Sequence, residues 1–436
     1  MKNQKRKDIL IVGAALFAMF FGAGNLIFPP AIGLEVGGNW IFAMIGFFMT
    51  GIGMPLLGMI AISKVDGDIE KFGQNVSKKF AITFGVIIVL VLGPLMGIPR
   101  TGATTFEMGI NPLFPEIPSV VATFIYFGIT LIMVLKPSTI VDKIGKILTP
   151  ILLILLSLII YKGISNPMGV PVESLNNAFS IGFAGGYQTM DVFVAILLGG
   201  IIMQTLSHKG YKDKKERMKM IPKAGMIAAL GLAVVYGGLL FLGSRANGIL
   251  NPDIARTELM VEVVRFILGQ VGTLFLGICV MFACLTTSIG LTAVVGEFFE
   301  HITKGKIKYK IAVVSSCILS FVISNVGVDM IVRVAGPILT VVYPVAIVLS
   351  ILNIGDKYIE TKTSYRGAVI FTMIISFIEG LYQLGIKLPY LYNLSNQLPF
   401  TESGFGWIIP AMVGFMLYGI SENKRRTRKK KFAFNR

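Results

Sequence analysis

Apolar runs of about 20 residues follow one another along almost the whole of this 436-residue chain. Each is long enough to cross a bilayer core of roughly 30 Å. Inside hydrocarbon every backbone N–H and C=O must be satisfied by the chain itself, so only helices and closed barrels can span it. The runs are continuously apolar and do not alternate with period two, which makes them helices. Composition agrees: 54% of the residues are hydrophobic and 14% are charged, against roughly a quarter charged in soluble domains. The expected fold class is an all-α, polytopic membrane protein with no soluble domain.

Twelve spans are expected, at about 9–34, 39–63, 80–105, 118–135, 144–161, 184–207, 222–243, 270–299, 309–325, 328–354, 367–385 and 403–420. An amphipathic stretch over about 254–267 precedes the eighth and is expected on the membrane surface. The start, MKNQKRKD followed by apolar residues to Leu34, is too long for the core of a signal peptide and has no small-x-small cleavage site. It reads as a retained first span.

The basic residues test this division. With the N-terminus inside, 33 of the 40 lysines and arginines fall in inside segments. Only Lys162, Arg245, Arg256, Arg265 and Lys387 fall outside, while Arg100 and Arg333 lie within spans. Such an asymmetry is what the positive-inside rule requires, and it puts both termini in the cytoplasm. The net charge of +17 then follows from topology. The tail KRRTRKKK reads as a topology anchor against anionic lipid, and no nucleic-acid partner is expected.

Two spans are interrupted. Span one carries Phe21-Gly22-Ala23-Gly24-Asn25, and span six carries Ala184-Gly185-Gly186-Tyr187-Gln188-Thr189-Met190-Asp191. They lie five spans apart, an odd number, so the second enters the membrane from the opposite side. Paired breaks of this kind imply two inverted five-span repeats, 1–163 and 164–355, with two more spans over 356–422 and a basic tail over 423–436. Unwound backbone at membrane depth is tolerated only where it lines a protein cavity. The N-terminus of a half-helix suits a carboxylate, and freed carbonyls suit an ammonium group or a small cation. Pro29-Pro30, at or just past the first turn of that half-helix, point to a kink. The alternative is that the glycines are simply close-packing positions.

Span eight carries Ala283-Cys284-Leu285-Thr286-Thr287-Ser288. Its hydroxyls have two readings: back-bonding to the preceding turn, or hard oxygen ligands for Na⁺ together with carbonyls of the broken first helix. Charges inside spans are functional candidates. Arg100 lies deep in span three and Asp191 follows the second break. Asp191 is read either as a structural partner or as a coupling group. Arg333 is read either as a gate residue pairing with a carboxylate or as part of a structural ion pair. Glu379, in span eleven, is expected in packing or an oligomer contact, and Glu107 and Glu297 are expected to be hydrated near span ends. Cys279, Cys284 and Cys317 form no CxxC pair and His208 and His301 form no ligand cluster, so no metal enzyme is read from them. No HExxH or GxSxG constellation is present, and no filter repeat of a channel.

FFGAGNLIFPP, GGYQTMD and CLTTSIGLT together resemble the bacterial branched-chain amino acid carriers, the BrnQ-type cation symporters, over essentially the whole chain. More distantly the pattern is similar to the LeuT-type fold. The resemblance implies leucine, isoleucine or valine as substrate, Na⁺ as coupling ion, no other cofactor, and a bacterial cell membrane as the location. It implies that the Ala23 and Gly24 N–H groups, with Gly22 and Asn25 beside them, hold the substrate carboxylate. It sets the carbonyls of Phe20, Phe183 and Ala184 toward the ammonium, within a break that includes Gly185, Gly186 and Tyr187, and Leu291 toward the side chain. For Na⁺ it implies the carbonyls of Ala18, Phe21 and Ala283 and the hydroxyls of Thr286 and Thr287. Span three lacks the tyrosine that the LeuT-type fold places on the carboxylate. It offers Arg100, Thr101, Thr104 and Thr105 instead, so a single Na⁺ is expected. The competing expectation is a proton or another substrate on the same fold.

Overall fold

A computed structural model describes residues 2–434 apart from 137–138, 173–176, 387–388, 390, 392–394, 396 and 402–403. Lys387, expected in an outside loop, lies outside the described residues. The chain is built of helices: α1 (Lys2–Phe20), α2 (Ala23–Val36), α3 (Trp40–Phe48), α4 (Met54–Lys64), α5 (Ile69–Gly73), α6 (Lys78–Leu90), α7 (Gly97–Thr104), α8 (Ser119–Leu135) and α9 (Thr139–Ser165). They continue as α10 (Ala178–Tyr187), α11 (Asp191–His208), α12 (Lys214–Ala246), α13 (Arg256–Ile302), α14 (Tyr309–Ser324), α15 (Val328–Gly355), α16 (Lys362–Gln383) and α17 (Ile408–Phe434). Wide π turns, closed by i→i+5 bonds, occupy Met49–Gly53, Val91–Leu95 and Thr105–Ile110.

Among the described residues, seven helical stretches are long and apolar enough to cross a membrane, and the α1–α2 pair, bent by 70°, makes an eighth. Shorter apolar helices cover Ser119–Leu135, Pro150–Ser165, Tyr309–Ser324 and Ile408–Glu422. All of these fall on the apolar runs of the sequence. The amphipathic stretch forms the first part of α13, which turns at Gly269 (φ 67°, ψ −163°), a backbone state that favours glycine.

The chain forms two compact units. The larger comprises Met1–Ile52, Ile88–Met190 and Ala224–Ala335, and the smaller comprises Gly53–Ile87, Asp191–Lys223 and Gly336–Arg436. In the larger unit, glycines let helix backbones touch, as small residues do in membrane helices. A methyl group at Gly33 of α2 would overlap the Leu240 carbonyl of α12, and one at Gly243 would overlap the Pro30 carbonyl. Helices α3 and α10 interlock in the same way, Gly46 against the Phe179 carbonyl and Gly182 against the Ala43 carbonyl. Thr50 adds a polar link, its hydroxyl donating to the Phe183 carbonyl at 2.7 Å. Phe17, Phe21, Tyr236 and Phe47 form a run of ring contacts with centroids 5.4, 6.5 and 5.3 Å apart in that order.

In the smaller unit, Asn353 donates to the Phe72 carbonyl at 3.0 Å. Tyr365 donates to the Leu352 carbonyl at 2.8 Å and lies 2.8 Å from an Asp356 carboxylate oxygen. Helices α16 and α17 meet through the backbones of Gly367 and Gly414.

Candidate functional site: two broken helices and a buried arginine

The first break lies where the sequence places it. Helix α1 ends at Phe20 and α2 begins at Ala23, with the extended Gly22 (φ −119°, ψ −171°) between them. The Gly22 N–H, which a continuing helix would send to the Ala18 carbonyl, instead donates to Asn25 Oδ1 at 3.1 Å. Asn25 N–H returns a bond to the Gly22 carbonyl at 3.1 Å. The amide nitrogen of the Asn25 side chain is hydrogen-bonded to the Tyr236 hydroxyl, and both residues are buried. The break is therefore a closed polar clasp. It leaves Ala23 and Gly24 as the first two residues of α2, whose N–H groups have no partner within a helix. The kink expected at Pro29-Pro30 does not end the helix, because α2 runs on to Val36. These prolines cannot donate to the carbonyls of Asn25 and Leu26, four residues back, which adds two acceptors near the break.

The second break occupies only the latter half of the expected stretch Ala184–Asp191. Helix α10 runs unbroken through Ala184, Gly185 and Gly186 to Tyr187, and the interruption is Gln188–Met190, with Met190 at φ 61°. The two glycines serve packing instead: Gly185 faces Ile32, and Gly186 lies against Thr50 and the Gly51 backbone. Ala184 is exposed, and the Phe183 carbonyl already accepts the Thr50 hydroxyl. The carbonyls of Gly185, Gly186 and Tyr187 receive N–H bonds from Gln188, Thr189 and Met190 at 3.1, 3.3 and 3.1 Å.

Arg100 joins the two breaks. Span three is itself interrupted at Gly93 (ψ −120°), so Arg100 stands in the short helix α7 that follows. Its side chain is 6% exposed. Nη1 donates to the Gln188 carbonyl at 2.7 Å. Nη2 lies against Gly24, only 2.6 Å from where a Cβ there would stand, and Cζ sits 5.3 Å from the centre of the Phe28 ring. The guanidinium thus touches the first turn of α2 and the opened backbone of span six together. The glycine at 24 is what permits this approach. Sequence reading found Arg100 and set Gln188 in the second break, but missed the bond between them and the break in span three, although Gly93-Pro94, Gly97 and Pro99 mark it.

The span-eight hydroxyls converge. Thr286 and Thr287 both donate to the Ala283 carbonyl, at 3.0 and 2.9 Å. Gly22 of the first break is the neighbour of Thr287: a Cβ there would lie 4.0 Å from Thr287 Oγ1. Back-bonding and proximity to the first break therefore hold together. Leu291, one turn beyond Thr287, is buried, as are Phe20 and Phe21.

The remaining charged candidates separate. Asp191, 1% exposed, is the first residue of α11 in the smaller unit, where the neighbouring Val192 N–H donates to the Tyr343 hydroxyl at 3.3 Å. Arg333 is exposed on α15 and has no ion-pair partner among the described residues. The ion pair at this end of α15 joins Asp329 to Arg256 instead. Glu107, expected to be simply hydrated, is half-buried and accepts from Thr257 Oγ1 at 2.7 Å and from Val328 N–H at 2.9 Å. Glu379 packs against Gly406 within the smaller unit. The three cysteines are free and buried.

Comparison with known proteins places this arrangement. The chain is 36% identical over 422 residues to the branched-chain amino acid permease BraB of Bacillus subtilis, covering 94% of each protein. It is 36% identical over 424 residues to the permease BrnQ of the same organism, covering 95% of this chain and 96% of the relative. Among solved structures it resembles the inward-facing form of the transporter Mhp1, with a TM-score of 0.62 at 13% identity over 96% of this chain and 91% of that one. It also resembles MhsT in complex with L-phenylalanine, with a TM-score of 0.56 at 16% identity over 93% of this chain and 97% of that one. At such identities these two show a shared fold. The sequence profile described as "Branched-chain amino acid transport protein" matches residues 5–425, and the chain therefore belongs to that family, one of multi-pass membrane transporters and not of enzymes.

Proposed function

We propose that this chain imports leucine, isoleucine and valine by sodium symport through alternating access. The observation that carries the reading is the meeting of the first break with span eight, where the Thr286 and Thr287 hydroxyls gather at the Ala283 carbonyl beside Gly22. Neutral oxygens suit a hard monovalent cation, and the Ala18 and Phe21 carbonyls at the end of α1 complete the set. The N-terminus of α2 takes the substrate carboxylate, because its N–H groups and helix dipole favour an anion. Leu291 and neighbouring apolar side chains take the alkyl group. Such a pocket separates substrates differing by one methylene by only about 1–3 kcal/mol, so all three branched side chains are used.

The frame of this mechanism is a twelve-span chain of two inverted five-span repeats with two appended helices. Both termini face the cytoplasm, on the strength of the 33 basic residues in inside segments. Na⁺ binding favours the outward-open state, substrate follows, and low cytoplasmic Na⁺ releases both. The coupling is reciprocal: the ion raises substrate affinity by the factor by which substrate raises the affinity for the ion. Uptake of radiolabelled leucine into proteoliposomes under an imposed Na⁺ or proton gradient tests this. Uptake driven by Na⁺ and lost in Thr286→Ala/Thr287→Ala is the expected result. Uptake driven by protons and indifferent to that change overturns the sodium site and moves coupling to a carboxylate, the buried Asp191 first.

A further inference from the structure

The guanidinium of Arg100 holds a place that a zwitterion would contest. It is buried, it lies on the first turn of α2, and one of its hydrogen bonds goes to the backbone carbonyl that opens at the second break. The same residue that supplies this carbonyl carries a second acceptor: the Gln188 side-chain oxygen is buried and meets no hydrogen-bond donor. A buried acceptor without a donor is costly and rare in a finished structure, and a bound ligand is one source of that donor. One guanidinium and two acceptors on one residue therefore stand together, at the junction of both breaks.

We propose that Arg100 and Gln188 form the polar head of the amino-acid site and exchange partners when substrate binds. This rests on the transport reading above and assigns two side chains to its substrate. The α-carboxylate forms an ion pair with the Arg100 guanidinium beside the N-terminus of α2. That pairing draws Nη1 away from the Gln188 carbonyl. The released carbonyl and the Gln188 side-chain oxygen then accept hydrogen bonds from the α-ammonium. After the exchange the Gln188 side-chain oxygen has a donor, and the substrate carboxylate pairs with the buried Arg100 guanidinium. A charge-assisted, two-pronged contact to a carboxylate is among the stronger hydrogen-bonded arrangements available to a protein. The exchange also links carboxylate binding in the larger unit's first break to the backbone of its second.

The test measures binding by isothermal titration to the full-length purified protein in detergent, with Na⁺ present. The ligands are leucine, leucinamide, which lacks the carboxylate, and 4-methylpentanoate, which lacks the ammonium. Wild type is expected to prefer leucine to both. Arg100→Gln is expected to weaken leucine by about 10- to 100-fold, the range for losing a hydrogen bond to a charged group, and to leave leucinamide nearly unchanged. Arg100→Lys keeps the charge and restores part of the preference for leucine over leucinamide. Gln188→Leu keeps the backbone carbonyl, narrows the preference for leucine over 4-methylpentanoate, and leaves 4-methylpentanoate binding unchanged. Should Arg100→Gln weaken leucine and leucinamide equally, or leave the preference intact, Arg100 is a strut and the proposal fails while the transport reading stands. Should wild type bind no leucine, the transport reading itself fails. A melting curve for each variant separates a lost site from a lost fold, and Arg100→Lys decides between site and strut if Arg100→Gln does not fold.

Discussion

The clasp at the first break can be taken apart one bond at a time. Asn25→Ala removes the hydrogen bond accepted from the Gly22 N–H at 3.1 Å and the one to the Tyr236 hydroxyl. Tyr236→Phe removes the second and keeps the first. It keeps the ring that meets Phe47 and Phe21 at 5.3 and 6.5 Å between centroids. Each bond is worth about 0.5–1.5 kcal/mol net. Asn25→Ala is therefore expected to cost about 1–3 kcal/mol and Tyr236→Phe about 1 kcal/mol. The shared bond can be lost only once, so the double variant falls short of the sum of the two by about 1 kcal/mol. The assay is equilibrium unfolding in mixed micelles with rising dodecyl sulfate, followed by circular dichroism, for the four members of the cycle. Strict additivity, within about 0.3 kcal/mol, would refute the argument that Asn25 couples the break to Tyr236.

Three further outcomes are expected. Gly182→Leu and Gly46→Leu drive side chains into the carbonyls of Ala43 and Phe179; each is expected to cost more than about 3 kcal/mol, as severe overpacking does, read as loss of the monodisperse peak in fluorescence size-exclusion chromatography. Glu107→Ala removes the acceptor of both Thr257 and the Val328 N–H; a loss of about 2–4 kcal/mol is expected, and limited proteolysis should cut first near Gly269. Gly24→Ala sets a methyl 2.6 Å from Arg100 Nη2; the guanidinium must leave the Gln188 carbonyl, and leucine uptake is expected to fall at least about tenfold for one charged hydrogen bond with expression unchanged.

The first break was legible because glycine, glycine and asparagine in an apolar run leave few other uses: Asn25 needs partners, and the opened backbone supplies one. The second was drawn too wide because glycine has two meanings in a membrane helix. At 185 and 186 the absence of a side chain serves contact with Ile32, Thr50 and Gly51, while the left-handed backbone falls to Met190, a residue that carries no such signal. Arg100 was found by its charge, yet its bond to the Gln188 carbonyl was not, because a backbone carbonyl leaves no mark on the sequence. Arg333 looked equivalent by the same rule and stands exposed. A buried charge can be suspected from sequence, but burial itself is a property of the packed helices.

The π turns at Met49–Gly53 and Thr105–Ile110 change how these spans keep count of their residues. Each holds one residue more than an α-helical turn would. Beyond it, the helix surface is advanced by about 100°, the angular step of a single residue. A stripe of residues followed with one period from Gly97 is therefore one residue out of step by Asn111. A one-residue deletion within such a turn restores a plain helix and rotates the segment beyond it, whereas the same deletion within α8 shifts a whole packed face. The π turn over Thr105–Ile110 is thus a vernier between Arg100 on one side and the residues past Ile110 on the other, setting their relative rotation by a single extra peptide.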